Sequence, residues 1–444
     1  MPGVITDQSF DIAIVGGGII GLVVAMGLMK RNINVKIYEQ SRSFREIGAG
    51  VAFTANAIRC MGMLNPDIVT ALRKVTTANG DPKNPNDYLQ YVDGYSHDPN
   101  DPDNMEEEVL FKLYAGYKGF EGCHRAHLLD ELVKFIPEGT VEFRKRLDTY
   151  VDRGEDQKLL LKFCDGTTVE FDAVIGCDGI KSRVREILLG EGNPASYPHY
   201  SHKVAFRALI PMDKAEAALG SYKARNQHMH MGPGAHVLHF AVASQTLMNF
   251  VAFAPDPNEW LSDKIMTAPA TKEEVVKIFS DWGPTVRAIV NLLPEEFDKW
   301  AIFDTYDYPA PTYTKGRVCL AGDAAHASSP HHGAGAGIGV EDALAMAQVL
   351  EMAAETLQST DMSKAQVLRS AFETYDAVRR ERSQWLVHSS RNICDVYEWN
   401  NPKTGSNPEK CLEEIKWRSH KIWYFNIEGM LLETRKEFDS RIAA

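Results

Sequence analysis

The 444-residue chain has no excess of positive charge: 48 Lys and Arg stand against 60 Asp and Glu, a formal net charge of −12. Nucleic acid and anionic membranes bind basic surfaces, so neither is expected as a partner. Cysteine is scarce and unpaired in pattern. The seven residues (60, 123, 164, 177, 319, 394 and 411) are odd in number, scattered and never spaced C-x-x-C. That argues against a disulfide framework and a zinc site, and it predicts a reducing, cytoplasmic setting. There is no internal repeat. The apolar run Ile12–Met29 has no charged residue but is broken by Gly16, Gly17, Gly18 and Gly21. The residues before it include Asp7 and no Lys or Arg, so neither a membrane span nor a signal peptide is expected. His228 and His230 are spaced like a metal pair, but no carboxylate or cysteine cluster adjoins them, and no metal is expected there.

What is present concentrates in three distant segments. The first follows a strand pattern at Asp11–Val15 with Gly16, Gly18 and Gly21 at G-x-G-x-x-G spacing, then an apolar helix pattern to Met29. The first glycine permits a tight turn, the second lets a pyrophosphate approach the backbone, and the third lets helix and strand pack closely. The phosphates would rest on the helix N-terminus. A second strand, Asn34 to Tyr38, ends in Glu39, whose carboxylate can accept from ribose hydroxyls and repels a 2′-phosphate. The second segment runs from Gly176 through Asp178 and Gly179 to Ser182 and Arg183. The third is Gly322-Asp323-Ala324-Ala325-His326, continuing through Pro330, Gly333, Gly335, Ala336 and Asp342. There Asp323 follows an apolar strand and suits ribityl hydroxyls, and Gly333 to Gly339 is a permissive turn that opens a helix.

Between these segments the composition changes. At 76–108 Asn, Asp, Pro and Gly crowd together and close on Glu106, Glu107 and Glu108, which predicts an exposed acidic insertion. From about His199 to Ala301 polar and apolar residues alternate, as in an antiparallel sheet with one face over a ligand. Arg207 sits mid-strand there, between Phe206 and Ala208. Facing inward, it would need an anionic partner.

Motif order and spacing resemble the class A flavoprotein monooxygenases, the aromatic hydroxylases with a para-hydroxybenzoate hydroxylase type fold, over nearly the whole chain. The runs Phe44–Gly50, Phe303–Pro311 and Pro330–Gly335 are similar to a fungal group that dearomatises resorcinol-type polyketide aldehydes in tropolone, azaphilone and sorbicillin pathways. The resemblance implies an α/β fold: a Rossmann-like FAD-binding domain (1–75, 109–190 and 302–360), the insertion 76–108, an antiparallel substrate sheet (191–301) and a C-terminal helical segment (361–444). It implies FAD, held by Gly16, Gly18, Gly21, Glu39, Arg45, Arg125, Asp178, Gly179, Asp323, Gly335 and Ala336, with Pro330 beside the isoalloxazine. It also implies NAD(P)H and O2 as co-substrates; no second glycine fingerprint serves the nicotinamide, and NADH versus NADPH stays open. A monomer or homodimer is expected.

In that family a C4a-hydroperoxyflavin delivers an electrophilic oxygen, so the site must be dry and the ring electron-rich. An ionised phenol meets the second need. Arg207 is the expected phenolate clamp, and His331 and His332 are candidates for proton transfer. The orienting tyrosine of some relatives falls here on Phe240, which donates nothing; Tyr117 matches its position in others. Three readings result: dearomatisation to an ortho-quinol, decarboxylative hydroxylation of salicylate to catechol, and a flavin reductase or dehydrogenase that transfers no oxygen.

Overall fold

The computed structural model describes residues 10–44, 50–81, 84–85, 88–116, 119–262 and 265–444. The uncharged run Ile12–Met29 forms most of strand Asp11–Val15 and all of helix Ile19–Met29, and nearly every residue in these two elements is buried. The strand is central in a six-stranded sheet ordered Val141–Phe143, Asn34–Glu39, Asp11–Val15, Ala173–Gly176, Val318–Leu320 and Thr314–Lys315. Its ladders are parallel except the last. Parallel sheets need cover on both faces, and the continuous Val, Ile and Ala runs reflect that. Helices Ile19–Met29 and Gly335–Ser359 pack together on this core.

The longest helix, Lys364–Tyr397, starts with a capping box between Ser363 and Gln366. It drives the buried Arg379 guanidinium between Glu341 (3.0 Å) and Asp342 (2.9 Å) of the preceding helix. Helices Pro408–Trp423 and Ile427–Ala443 complete the C-terminal segment. Among the described residues no helix is long and apolar enough to cross a membrane.

The second sheet has eight strands, in the order Thr267–Thr271, Glu296–Asp304, His199–Pro211, Leu247–Pro255, His236–Val242, His228–Met231, Tyr88–Asp93 and Val109–Tyr114. Two of these come from outside the 191–301 stretch. Tyr88–Asp93, within the stretch expected to be an exposed insertion, pairs in parallel with His228–Met231, and Val109–Tyr114 closes the edge. The reason is apolar: Leu89, Tyr91, Phe111 and Leu113 are buried on this sheet. The acidic run is also not wholly solvated. Glu107 meets His230 at 2.7 Å and Lys223 at 3.0 Å with its side chain 6% exposed. Burial alone would raise its carboxyl, but His230 and Lys223 outweigh burial and hold it down to about 2.

Candidate active site

The glycine fingerprint is enforced by backbone contact. Gly16 turns at φ +103°, and a Cβ there would stand 2.4 Å from the Cys177 carbonyl oxygen. A Cβ at Gly21 would stand 2.0 Å from the carbonyl oxygen of Gly16. Neither atom can yield, so glycine is required. Gly18 precedes the helix Ile19–Met29, which has no side-chain cap and no acid in its first turn. Its leading N–H groups stay available to an anion. Glu39 accepts from Gly17 N and Ser41 N, both at 2.7 Å, which sets its carboxylate beside the glycine turn.

Similar contacts join the three motifs. A Cβ at Gly339 would stand 2.6 Å from Ile20 Cδ1 of the first motif, and one at Gly322 would press on the same side chain at 3.2 Å. Arg185, 1% exposed, reaches from the second motif to the Ala325 carbonyl (2.9 Å) in the third. Burial pulls its guanidinium down to about 10. Asp178 accepts from Ser182 Oγ (2.5 Å) and Val184 N (3.1 Å), so its carboxylate secures the turn before helix Arg183–Leu189, while Gly179 is the residue on the cavity wall. In the third motif Asp342 accepts from Gly322 N (3.1 Å) and pairs with His326 (2.5 Å). Burial would raise Asp342, but His326 and Arg379 outweigh it and hold the carboxyl below its usual range.

Together these elements wall one side of a cavity of about 340 Å³. Gly18, Arg125, Gly179, Asp323, Pro330, His331, Gly335 and Ala336 line it, whereas Gly16, Gly21, Glu39 and Asp178 do not. The helix Gly335–Ser359 also begins with no side-chain cap and no acid in its first turn. The wall thus offers two uncapped helix N-termini, the exposed Asp323 carboxylate and the Arg125 guanidinium. This donor set fits a flavin dinucleotide: N–H groups and arginine for the pyrophosphate, a carboxylate for the ribityl hydroxyls, and a second helix end for a flavin carbonyl.

The opposite wall is one face of the eight-stranded sheet. Register aligns Arg207 with Val251, Val251 with Leu238, Leu238 with Met229 and Met229 with Tyr91, so these residues form a row across adjacent strands. Arg207 heads the row, its guanidinium 5.4 Å from the Trp300 ring centroid. Its Nε is buried without a hydrogen-bond partner, and it forms no ion pair among the described residues. Burial first and Arg125 second pull it down to about 10, a site short of negative charge. Phe240 is 7% exposed and edge-on to Phe120, and it fills the space that Cβ atoms at Gly50 and Gly122 would take. Arg45 and Tyr117 lie outside the described residues.

His332 is tied to Ser389 at 2.8 Å, and burial followed by Arg418 takes it down to about 3. His331 lines the cavity against Phe253 and His236, with ring centroids 4.7 and 5.2 Å away. Sequence reasoning missed His236, Asn249, Tyr91 and Tyr397, all on the cavity wall. Strand alternation marks the face that Asn249 and His236 share, but only strand pairing sets them beside Arg207. The described residues do contain one compact group of metal-ligating type, His236, His331 and Cys394, rather than the His228 and His230 pair weighed from the sequence.

The FAD binding domain family matches residues 127–390. The chain is 54% identical over 443 residues to the FAD-dependent monooxygenase pigN of Monascus ruber, covering 100% of both chains. It is 48% identical over 446 residues to the salicylate hydroxylase asL1 of Sarocladium schorii, covering 98% of this chain and 92% of that one. Among solved structures, a salicylate hydroxylase substrate complex superposes with a TM-score of 0.82 at 30% identity, over 97% of this chain and 98% of the other.

Proposed function

The chain belongs to the FAD-dependent monooxygenases of the FAD binding domain family, and from that premise we propose that it oxygenates a ring carbon of a phenolic aromatic clamped by Arg207. Bound FAD would supply the reactive oxygen, taken from O2, with NAD(P)H as the proposed reductant. The observation that carries the reading is the Arg207 guanidinium, which has no carboxylate partner among the described residues and heads an apolar row of Val251, Leu238 and Met229. A phenolate supplies the missing anion, and ionisation makes the ring electron-rich where oxygen is to be inserted. The apolar row takes the ring and its alkyl groups and excludes water.

The residue assignments follow from that pose. Arg207 holds the phenolate, His331 takes the phenol proton, and Pro330 and its loop border the flavin. Tyr117 is proposed as the orienting donor, because Phe240 has no donor and is packed against Phe120. Arg45 and Arg125 are assigned to the pyrophosphate and ribityl region. The proposed domain division is that stated from the sequence, with Tyr88–Asp93 and Val109–Tyr114 moved to the substrate sheet.

For the product, we favour dearomatisation of a resorcinol-type aldehyde: a hydroxylated ring carbon that already bears methyl has no hydrogen to lose and remains an ortho-quinol. Salicylate hydroxylation is the second reading, favoured by the salicylate hydroxylases among the similar proteins, with Arg207 or His331 holding the carboxylate. Purified holoenzyme given NADPH with 2,4-dihydroxy-3,6-dimethylbenzaldehyde, and separately salicylate, tests both. We expect the aldehyde to gain one oxygen from ¹⁸O2 with its ring methyl retained. Catechol from salicylate alone would establish the second reading, and reductant oxidation without ¹⁸O in any product would leave a reductase.

A further inference from the structure

We propose that His331, His236, Glu398 and Lys203 form a proton exit that carries the phenol proton from the substrate cavity to solvent. The proposal rests on the phenolic reading above, because Arg207 can hold a phenolate only after that proton has left.

The path begins with two orphaned ring nitrogens. His331 Nδ1 and His236 Nε2 are both buried and have no hydrogen-bond partner. One nitrogen of each ring, Nδ1 or Nε2, lies within 4.8 Å of one on the other ring, and the exit as proposed has one bridging water join His331 Nδ1 to His236 Nε2. The remaining links are direct. His236 Nδ1 meets Glu398 Oε1 at 3.1 Å, and the other oxygen of Glu398 accepts from Lys203 Nζ. His236 and Glu398 side chains are 0% exposed, whereas Lys203 is 17% exposed, so only the outer end of the chain meets water. Cys394 Sγ also donates to Glu398 Oε1 at 3.2 Å. An ion pair alone would explain Glu398 and Lys203; it leaves the two unpartnered nitrogens unexplained.

The surrounding charges favour transit over storage. Burial first, then His236, Lys203, His332 and Arg391, hold His331 well below its ordinary range. Burial likewise lowers His236, opposed by Glu398 and reinforced by Lys203. Asp395 is the further acid near Glu398 and Lys203. Both rings are therefore neutral at pH 7, each able to accept at one nitrogen while releasing from the other. The phenol O–H bond breaks and its proton bonds to His331 Nε2. The Nδ1 proton of His331 passes to His236 Nε2, and that of His236 Nδ1 passes to Glu398. Lys203 gives one ammonium proton to water as it takes the one on Glu398. One proton reaches solvent, the phenolate stays with Arg207, and no oxidation occurs.

The test follows phenolate absorbance in a stopped-flow experiment with oxidised, FAD-loaded full-length enzyme and 2,4-dihydroxy-3,6-dimethylbenzaldehyde. Glu398→Gln is expected to slow ionisation about 100-fold, the scale of a positioned proton acceptor, with the dissociation constant little changed. Lys203→Met, at the partly exposed end, should slow it as well and raise the solvent deuterium isotope effect; Glu398→Asp should restore part of the rate. Wild-type ionisation rates in both Glu398→Gln and Lys203→Met, with product still formed, would overturn the exit alone. No phenolate and no oxygenated product from the unaltered enzyme would overturn the substrate reading and the exit with it. Stoichiometric zinc or iron in the purified protein would also overturn the exit, since His236, His331 and Cys394 would then be its ligands.

Discussion

The two walls of the cavity are made of different material. On the flavin side the functional groups are largely backbone: the turns at Gly16 and Gly322 and the uncapped N-termini of helices Ile19–Met29 and Gly335–Ser359. On the sheet side they are side chains, about one per strand, running from Arg207 through Val251, Leu238 and Met229 to Tyr91. A wall built largely of backbone changes little with sequence and suits the dinucleotide proposed for it. A wall of side chains can change its substrate one residue at a time while strand pairing stays the same. On the proposed reading, cofactor and substrate are thereby recognised by different walls.

Substitutions on the two walls should fail differently. Arg207→Ala is expected to lower kcat/KM about 10²- to 10³-fold, as loss of a single charge-stabilising donor does, with FAD still stoichiometric. An equal loss of bound flavin would erase the contrast between the walls. Acid should also separate them. Burial, then His230, takes His228 down to about 4, on the sheet face away from the cavity. Relative to an ordinary histidine at 6.5 that shift corresponds to about 3 kcal/mol. The unfolded chain takes up this proton first, so stability is lost as pH falls from 6.5 through 4. The depressed Glu107 adds a loss that begins near 4.5 and continues toward 2. Thermal denaturation should therefore show a falling Tm over this window, and Glu107→Gln should flatten its acid end.

Gly21→Ala should act on the other wall, weakening FAD retention roughly tenfold to 100-fold through an over-packing cost of about 1–3 kcal/mol at the 2.0 Å backbone contact. The ratio of flavin to protein absorbance after desalting checks it. Asp323→Ala should have the smallest effect, about tenfold weaker FAD binding for one lost charged acceptor, with no change in product identity.

How much of this was legible in the sequence follows the same division. The glycine fingerprint, the Gly322–His326 segment and the alternating strands each depend on neighbours within a few residues, so spacing alone exposed them. Arg207 was legible as a misplaced charge. His236, Asn249 and Tyr91 were not, because strand pairing and not spacing places them on the cavity wall. Glu107 misled for the same reason: three consecutive glutamates read as solvated, and only folding shows that the middle one reaches His230. Residues 88–93 were obscured by their polar flanks, although Leu89 and Tyr91 supply the apolar contacts that hold them in the sheet.

The parallel pairing of Tyr88–Asp93 with His228–Met231 has a further consequence, for biosynthesis. Strand Tyr88–Asp93 emerges from the ribosome with its neighbour Val109–Tyr114, but its other edge stays open until residue 231 has been made. The first sheet waits longer still, since Ala173–Gly176 gains its outer partner only with Val318–Leu320. Long-range closure of this kind is slow, and exposed strand edges invite aggregation. The nascent chain thus carries two unfinished sheets at once, each with a strand edge that waits more than a hundred residues for its partner.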